Sequence, residues 1–463
     1  MAPEQISPLS SHLQAKIDDL LAAIGQEQAT INQLRPAQHE KTVSYQAWLK
    51  EFATLRGRNL VFPYMSSGRG QGPFTELGDG SVKYDLVNGI GVNLLGHGHP
   101  IYRQAILESA VNDIVTCGNL LPYAEPYLLS KTLLGAVRNS RLRHLWFACS
   151  GTMANEQALK VIWQKRAPRA KLLAFRKGFS GRSIAMEDIT DYPEDREDMP
   201  QFIDVTYVDH FDHHDPAHAT QKTLAQLEQA WAAAPDQYAA ILLELIQGQA
   251  GFIFGPREYY VAIMDWAKQK GIPIWVDEIQ TFGRTRELFA FQMFGLEEYV
   301  DVVTAAKVIQ CGVTLYSDEF NPRPGLLGGT FVGSLASLKA GRFIVEYLLQ
   351  NNFYGPHGKL AALEQEFVQR LTKLAQTSCQ GRLHDVRGVG AMISFEVGDS
   401  SAAATHQFLQ ALFQAGVIAF SGGRDPVRVR LLPSVVTVNP QHLREIFAIL
   451  ESTIRQTVTP PAD

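Results

Sequence analysis

Two charged residues stand directly after short apolar runs in this sequence. Asp277 ends the run 274–276 and is followed by Glu278, and Lys307 ends the run 300–306. Short, continuous apolar runs that stop at a charge are typical of strands in a parallel sheet that is buried on both faces. Because ligands bind outside the carboxyl ends of such strands, the acid and the amine are expected to face one crevice. A lysine for a Schiff base and a carboxylate for a pyridinium nitrogen are what pyridoxal-phosphate (PLP) chemistry requires.

Each of these residues also has a simpler interpretation when it is taken alone. A lysine after an apolar strand is usually a solvated loop residue, and an Asp-Glu pair at a strand end usually forms a turn or caps a helix. The PLP hypothesis therefore depends on further motifs that occur in the right order along the chain.

A turn of small residues, 150–152, lies between a predicted strand and a predicted helix. The free N–H groups at a helix start favour an anion, and the hydroxyls of Ser150 and Thr152 add donors. An ordinary N-cap would explain the same residues. Ahead of the aspartate and the lysine, the turn predicts a phosphate cup.

A second turn follows the next predicted strand, in the segment 175–182. An aromatic residue at a strand end could stack on a pyridine ring, and an arginine three residues further could hold a carboxylate with two hydrogen bonds. A core phenylalanine and a surface arginine are the alternative.

The composition is that of an ordinary soluble enzyme. The chain has 463 residues, is 46% hydrophobic and carries a net charge of −5, so it lacks the basic excess that nucleic-acid binding demands. Its four cysteines are scattered without CxxC spacing, which favours a reducing cytoplasm over secretion. No apolar run reaches the length of a membrane span, and the amino terminus lacks the layout of a signal peptide.

The segments that position these residues alternate between helices and strands from residue 99 to residue 309. Strands are predicted at 144–148, 171–175, 204–208, 240–245, 272–276 and 300–306, and helices at 101–116, 126–137, 154–165, 217–234 and 257–270. Such alternation predicts an α/β fold whose mainly parallel central sheet is covered by helices on both faces.

The two ends of the chain are expected to form a second, smaller α+β domain, because neither end has enough strands to bury a face alone. The predicted division is 1–90 for the amino-terminal helices and part of the small domain, 91–334 for the large domain and 335–463 for the carboxyl-terminal part. Residues 82–87 are predicted to be an edge strand. The histidine-rich segment 209–215 is predicted to be a surface loop without a metal, since its ligand spacing is not ordered.

Eight motifs, in this order, resemble those of class III aminotransferases of the PLP fold-type-I superfamily, the group that includes ornithine, acetylornithine and 4-aminobutyrate aminotransferases. They are YDLVNGIGVNLLGHGHP, SGTMANEQALK, GFSGR, LELIQGQAG, VDEIQTFGRT, TAAKVIQCG, GGTFVGS and RVRLLPSVVT. The resemblance extends over residues 84–433, which is most of the chain.

The resemblance implies a set of cofactor-binding residues, which are Ser150, Gly151, Thr152, Phe179, Asp277, Gln280, Lys307 and Thr330. Lys307 would form the Schiff base, Asp277 would pair with the pyridinium nitrogen, and Gln280 would bind the ring 3-oxygen. Phe179 would stack on the ring, and Thr330 would reach the phosphate of a neighbouring subunit in a homodimer. No metal is implied.

The resemblance also implies how two substrates share the site. An ω-amino acid-type donor would bind through Arg182 while Glu244 neutralises Arg430, which then takes the carboxylate of a 2-oxo acid such as 2-oxoglutarate. The expected reaction is a ping-pong transamination. An aminomutase or racemase on the same fold, and a non-catalytic PLP-binding protein, are the alternatives.

The chain departs from the family pattern around the substrate. Ser180 stands where most members have histidine or tryptophan, Met153 where glutamate is usual, and Leu245 where proline is usual. None of these changes removes a catalytic group, but all of them reshape the walls around the substrate.

Overall fold

The computed structural model describes residues 9–60, 62–112 and 121–460. Over these residues the chain forms two compact units, one made of residues 105–361 and the other of residues 9–104 together with 362–460. The domain boundaries that the sequence suggests, at residues 90 and 334, stay a prediction.

The unit that contains both ends of the chain begins with two helices and a hairpin. Its amino-terminal elements are α1 (Ser11–Gln28), α2 (His39–Leu55), β1 (Ser66–Gln71), β2 (Phe74–Leu77), β3 (Val82–Asp85) and the left-handed turn α3 (Asn88–Gly91), and α4 (Pro100–Ala110) follows. Gly72 has a φ of 58°, which lets the chain reverse between β1 and β2. The sequence does not predict this hairpin, because β1 consists of serine, glycine, arginine and glutamine instead of apolar residues.

The other unit alternates helices and strands, as predicted. Its elements are α5 (Ala124–Ala136), β4 (Leu142–Ala148), α6 (Gly151–Arg166), β5 (Lys171–Phe175), α7 (Ile184–Ile189), β6 (Val205–Val208), α8 (Ala219–Ala233), β7 (Tyr238–Leu243), α9 (Arg257–Gln269), β8 (Ile274–Glu278), α10 (Ala290–Met293), β9 (Val302–Ala305), β10 (Gly312–Ser317) and α11 (Leu335–Gln350). All six strands predicted between residues 144 and 306 are present, and their ends differ from the prediction by at most two residues.

Seven of these strands form one sheet in the order β4-β10-β9-β8-β7-β5-β6. β6, β5, β7, β8 and β9 pair in parallel, whereas β10 is antiparallel to both β9 and β4. β7, β8, β9 and β10 are buried at every position, which explains the continuous apolar runs. The predicted mainly parallel sheet is confirmed. β10 was not predicted, because its sequence mixes apolar with hydroxyl residues and leads into a stretch rich in glycine and proline.

The carboxyl-terminal part of the chain completes the unit that contains both ends of the chain. Its elements are α12 (Lys359–Gln376), β11 (Leu383–Val389), β12 (Met392–Val397), α13 (Ala402–Ala415), β13 (Val417–Ile418), β14 (Phe420–Gly422), β15 (Arg428–Leu431) and α14 (Pro440–Thr457). One four-stranded sheet has the order β11-β12-β15-β14 and the other has the order β1-β2-β3-β13. β13 pairs in parallel with β3, so both ends of the chain contribute to one sheet, as predicted. Residues 82–87 are not the predicted edge strand, because β3 lies between β2 and β13.

Within residues 9–60, 62–112 and 121–460, no helix is long and apolar enough to cross a membrane. Over the same ranges, no three His, Cys, Asp or Glu side chains are grouped as ligands for a metal ion. The surface loop predicted for the segment 209–215 is wrong for His210, which is buried among Phe175, Tyr259 and Tyr260. Burial lowers the pKa of its imidazole to about 3, so this histidine stays neutral.

Candidate active site

Asp277 and Lys307 lie at the same edge of the seven-stranded sheet. β8 is parallel to β9 with Asp277 opposite Thr304, and Lys307 comes two residues after the end of β9. Burial raises the pKa of the Asp277 carboxyl to about 6, and the nearby charge of Lys307 opposes this rise. The structure therefore brings the acid and the amine within electrostatic reach of each other.

The Asp277 carboxylate is held by one hydrogen bond on each oxygen. Oδ1 accepts from the backbone N–H of Ile279 at 2.8 Å, and Oδ2 accepts from Nδ2 of Asn155 at 2.7 Å. Both donors are neutral, so neither cancels the charge of this buried carboxylate. Since a buried charge is costly unless it is paired, a protonated ring nitrogen at this place would be strongly favoured.

Lys307 has a backbone conformation that residues other than glycine rarely adopt. Its φ is 57°, and it begins a single 3₁₀ turn that ends at Gln310, whose φ is 64°. Such conformations cost about 1–3 kcal/mol each and are concentrated at functional sites. The neighbours Ala306 and Val308 are buried and fix the turn, while Lys307 itself is half-buried. The strain thus supports a functional role for this lysine.

The turn 150–152 begins α6 at the same edge of the sheet. Because β10 is antiparallel to both of its neighbours, β4 runs in the same direction as β9 and ends where β9 ends. Oγ of Ser150 accepts from the backbone N–H of Met153 at 3.2 Å, so the serine acts as an N-cap of a 16-residue helix. The remaining N–H groups of the first turn, with the helix dipole behind them, suit an anion.

Gly151 packs this turn tightly against the segments that carry the acid and the amine. A Cβ at Gly151 would lie 2.9 Å from Cγ2 of Ile279 and 3.2 Å from Cβ of Ala306. Gly181 has a φ of 136°, and a Cβ there would lie 2.6 Å from Oγ1 of Thr152. The turn 150–152 therefore contacts both the end of β8 and the second predicted turn, and larger residues do not fit.

The second turn carries Phe179 and Arg182. The side chain of Arg182 is 60% exposed, and its Nη1 and Nη2 pair with Glu187 at 3.1 Å and Asp195 at 3.0 Å. Its Cζ lies 5.6 Å from the centroid of the Phe179 ring. The pair with Asp195 is exposed and is worth only about 0–1 kcal/mol, so a substrate carboxylate could replace it, whereas Glu187 is buried. The carboxylate-binding role of Arg182 stays a prediction.

Glu244 follows β7 directly and connects two backbone segments. Its Oε1 accepts from the backbone N–H of Phe179 and its Oε2 from that of Gly248, both at 2.9 Å. Burial and the charge of Asp277 raise the pKa of the Glu244 carboxyl, while the two N–H donors and Lys307 oppose the rise, and the net result is a pKa of about 8. This carboxyl is therefore held mainly in its protonated form at neutral pH.

Two other predicted cofactor residues lie in different surroundings. Gln280 is buried, and a Cβ at Gly248 would overlap its Oε1, so the amide packs directly on that backbone. Thr330 lies in the segment before α11 and is exposed, beside Phe331, which is 79% exposed. The ring contact of Gln280 and the phosphate contact of Thr330 stay predictions.

Arg430 belongs to β15, in the unit formed by both ends of the chain. Its Nε and Nη2 donate to the carbonyl of Ser421 at 3.0 and 2.8 Å, and its Cζ lies 4.1 Å from the centroid of the Phe420 ring. Gly422 is required here because a Cβ would overlap the Arg430 guanidinium. Arg428, two residues earlier, instead forms ion pairs with acidic side chains of its own sheet. The role of Arg430 stays a prediction.

Sequence reasoning missed Asn155 beside the site and left the role of Glu278 open between a turn and a helix cap. Asn155 is fully buried, and its side chain joins Asp277 to the backbone of Ser180. The signal for it is its place four residues after Gly151, one helical turn further on the same face. Glu278 is also fully buried, and its carboxyl accepts from two backbone N–H groups at the start of α10. Of the Asp-Glu pair, only the aspartate faces the site, whereas the glutamate caps a helix.

These residues fit the chemical groups of PLP. The N-terminus of α6 suits a phosphate, the half-buried amine of Lys307 suits an aldehyde, and the buried carboxylate of Asp277 suits a ring nitrogen that carries a proton. The absent side chain at Gly151 leaves the phosphate turn close to the other two groups. The mainly parallel sheet and this site together define a PLP-dependent aminotransferase fold.

Comparison with known proteins identifies the family. The sequence pattern of the family described as "Aminotransferase class-III" matches residues 57–454. Acetylornithine aminotransferase from Methanopyrus kandleri is 30% identical over 392 residues, which cover 81% of this chain and 91% of that protein. Succinylornithine transaminase from Yersinia pseudotuberculosis is 27% identical over 409 residues, covering 84% and 92%. The chain belongs to the class III aminotransferases.

Solved structures show the same fold. Lysine aminotransferase from M. tuberculosis superposes with a TM-score of 0.77 at 23% identity, covering 88% of this chain and 98% of that one. Taurine:2-oxoglutarate aminotransferase from Bifidobacterium kashiwanohense, in complex with PLP and glutamate, has the same TM-score of 0.77 at 19% identity, covering 88% and 98%. As a member of the class III aminotransferases, the chain is a PLP-dependent transaminase, and the PLP expected from its residues is confirmed as the cofactor of its family.

Proposed function

We propose that this aminotransferase moves an amino group from an ω-amino acid-type donor to a 2-oxo acid, with 2-oxoglutarate as the acceptor, in a ping-pong cycle. The observation that carries the proposal is the group formed by Asp277, Lys307 and Glu244 at one sheet edge. The names of the similar proteins support it, since they contain two N-acylated ornithines, lysine, taurine and 2-oxoglutarate.

The cofactor-facing residues have separate tasks in this proposal. When bound, PLP supplies an aldehyde that joins to amines and a protonated ring that withdraws electrons from the neighbouring carbon. Nζ of Lys307 would hold the aldehyde carbon and, when released, would move a proton at the reacting substrate carbon. Asp277 would keep the ring nitrogen protonated. Phe179 would cover a ring face, Gln280 would bind the ring 3-oxygen, and the turn 150–152 would hold the phosphate.

The substrate carboxylates are assigned to two arginines. Arg182 binds the carboxylate of the amine donor, and its exposed ion pair with Asp195 is weak enough to be exchanged for that carboxylate. Arg430 binds the α-carboxylate of the acceptor, as the family resemblance implies. Glu244 becomes the counter-charge in the donor half-reaction when it releases the proton that burial otherwise keeps on its carboxyl. Its two backbone hydrogen bonds hold its carboxyl in place, so any movement of Glu244 between the half-reactions must break them.

We further propose that the enzyme acts as a homodimer in which Thr330 reaches the phosphate bound by the other subunit. The exposed position of Thr330 and the large exposed ring of Phe331 beside it support this assignment. Apolar rings of this size are commonly covered in protein–protein interfaces.

A panel of amine donors with 2-oxoglutarate, read by glutamate formation, tests the proposed reaction. Acetylornithine, lysine and 4-aminobutyrate carry an amine far from a carboxylate. An α-amino acid and an alkylamine of the same length serve as matched controls. The proposal predicts the highest kcat/KM in the first group and parallel lines in double-reciprocal plots at several acceptor concentrations. Equal use of the alkylamine, or intersecting lines, would contradict it.

A further inference from the structure

Asn155 lies between two parts of the candidate site. The residue is fully buried on α6. Its Nδ2 donates to Oδ2 of Asp277 at 2.7 Å and to the carbonyl oxygen of Ser180 at 2.8 Å. Asp277 ends β8, whereas Ser180 belongs to the turn that carries Phe179 and Arg182. One amide group therefore joins the predicted partner of the ring nitrogen to the predicted substrate-binding turn.

The orientation of this amide follows from its surroundings. A carboxylate oxygen and a carbonyl oxygen face the same atom of Asn155, and only an NH₂ group can donate to both. Its Oδ1 is buried, and within the described part of the chain nothing donates to it. At this position the side chain acts as a double donor. An aspartate of the same shape would place a carboxylate oxygen against the acceptor oxygens of Asp277 and Ser180.

The segment on the other side of this contact is also fixed. The backbone N–H of Ser180 donates to Oγ1 of Thr190 at 2.9 Å, and its carbonyl accepts from Asn155. The peptide groups on both sides of Ser180 are therefore held by side chains. If the bond to Asn155 is lost, the backbone of the turn still has the anchor at Thr190 and the bond from Phe179 to Glu244, but the turn is no longer tied to Asp277.

We propose that Asn155 is a positioning residue that fixes the Asp277 carboxylate for the ring nitrogen of PLP and holds the turn 179–182 relative to it. Because its amide is neutral, Asn155 orients the carboxylate without cancelling its charge, which a lysine or arginine at this place would do. The inference rests on the role proposed for Asp277. A residue that merely fills space would need the shape of asparagine but not its two donors.

The test compares variants of Asn155 with a control on the same helix. Asn155→Ala removes both donors, and Asn155→Asp keeps the shape but replaces the donors by an acceptor. Gln157→Ala is the matched control, since Gln157 is also a buried amide of α6, but it donates to the carbonyl of Phe147 at 3.0 Å and does not contact Asp277. Asp277→Asn is the reference for loss of the carboxylate charge.

The dissociation constant of PLP is measured on each protein after removal of the cofactor, by quenching of tryptophan fluorescence between pH 5.5 and 8.5. Hydrogen bonds to charged groups are worth enough that we expect Asn155→Ala to weaken binding about 10- to 100-fold at pH 8. The midpoint at which affinity falls in acid should also move to higher pH, because loss of a donor favours the protonated form of Asp277. In steady state, KM for a carboxylate-bearing donor should rise as well.

Equal PLP affinity and an equal pH midpoint in Asn155→Ala and Gln157→Ala would overturn the inference while the role of Asp277 stands. Unchanged PLP affinity in Asp277→Asn would remove the proposed role of Asp277 and the inference with it. If Asn155→Ala does not fold, Asn155→Asp decides the question. We expect it to bind PLP more weakly than Asp277→Asn, and wild-type affinity in that variant would overturn the inference.

Discussion

Replacement of Glu244 by glutamine is predicted to cost stability at pH 5 and little or none at pH 9. Both carboxyl oxygens of Glu244 accept a backbone N–H, from Phe179 and from Gly248. Glutamine has only one acceptor, so its NH₂ group would face one of these N–H donors. The buried donor left without a partner costs about 1–3 kcal/mol, and this cost does not depend on pH.

The wild-type protein, in contrast, loses stability at this position as the pH rises. Burial and, to a smaller extent, the charge of Asp277 raise the pKa of the Glu244 carboxyl from 4.5 to about 8. The native state thus holds a proton that the unfolded chain releases above pH 4.5. The contribution of this proton to the free energy of unfolding is fully present below that pH and is lost as the pH rises towards 8. Each pKa unit is worth about 1.4 kcal/mol, so the full effect is on the order of 5 kcal/mol. Since part of the residue is open to water, we expect about 2–3 kcal/mol.

The assay is thermal unfolding of the PLP-free wild type and Glu244→Gln across pH 5 to 9, followed by calorimetry. The difference between the two proteins removes the pH dependence of all other groups. Glu366→Gln is the control, because Glu366 lies on the surface of α12 and pairs with Arg370. The wild type should be the more stable protein at pH 5, and its advantage should shrink or reverse by pH 9. A difference that stays constant across this range would refute the reasoning.

Three further predictions concern the phosphate turn, the donor carboxylate and the dimer. Gly151→Ala should lower PLP affinity and cost about 1–3 kcal/mol of stability through overpacking. The control Gly25→Ala, where a Cβ meets nothing within 4 Å, should stabilise α1. Wild-type PLP affinity in Gly151→Ala would contradict this prediction. Arg182→Gln should raise KM about tenfold or more for carboxylate-bearing donors but not for an alkylamine, because only a donor with a carboxylate loses a charged hydrogen bond to Arg182. An equal change in KM for both kinds of donor would count against this role of Arg182. Light scattering on dilution should show a dimer. Thr330→Ala should weaken PLP binding, but the dimer should persist. A fully active monomer would exclude the shared site.

Local patterns predict the sheet edge well. The strands next to Asp277 and Lys307 are buried on both faces, and these two charged residues mark the strand ends within one or two residues. The same patterns do not predict the hairpin of β1 and β2 or the strand β10. β1 is mostly exposed, and β10 is too mixed in composition, so neither shows a clear period.

Contacts between distant segments could not be predicted in this way. The bond between Asn155 and Asp277 joins residues 122 positions apart, and nothing in either local motif specifies it. The same is true of Glu244, whose partner Phe179 lies 65 positions away. The exposure of Arg182 and its pairing with Glu187 likewise depend on the path of the following helix and loop. Sequence motifs identify the chemical groups, whereas the packing of the chain determines which groups orient them.

The most direct test of the account is the position at which PLP is covalently held. The PLP-loaded enzyme is reduced with borohydride, digested and analysed by mass spectrometry, with Lys307→Ala treated in parallel. The account predicts that the reduced cofactor is attached to Lys307 alone and that the variant lacks both this adduct and the visible absorbance of the holoenzyme. Attachment to another lysine, or an unchanged spectrum and turnover in Lys307→Ala, would contradict it.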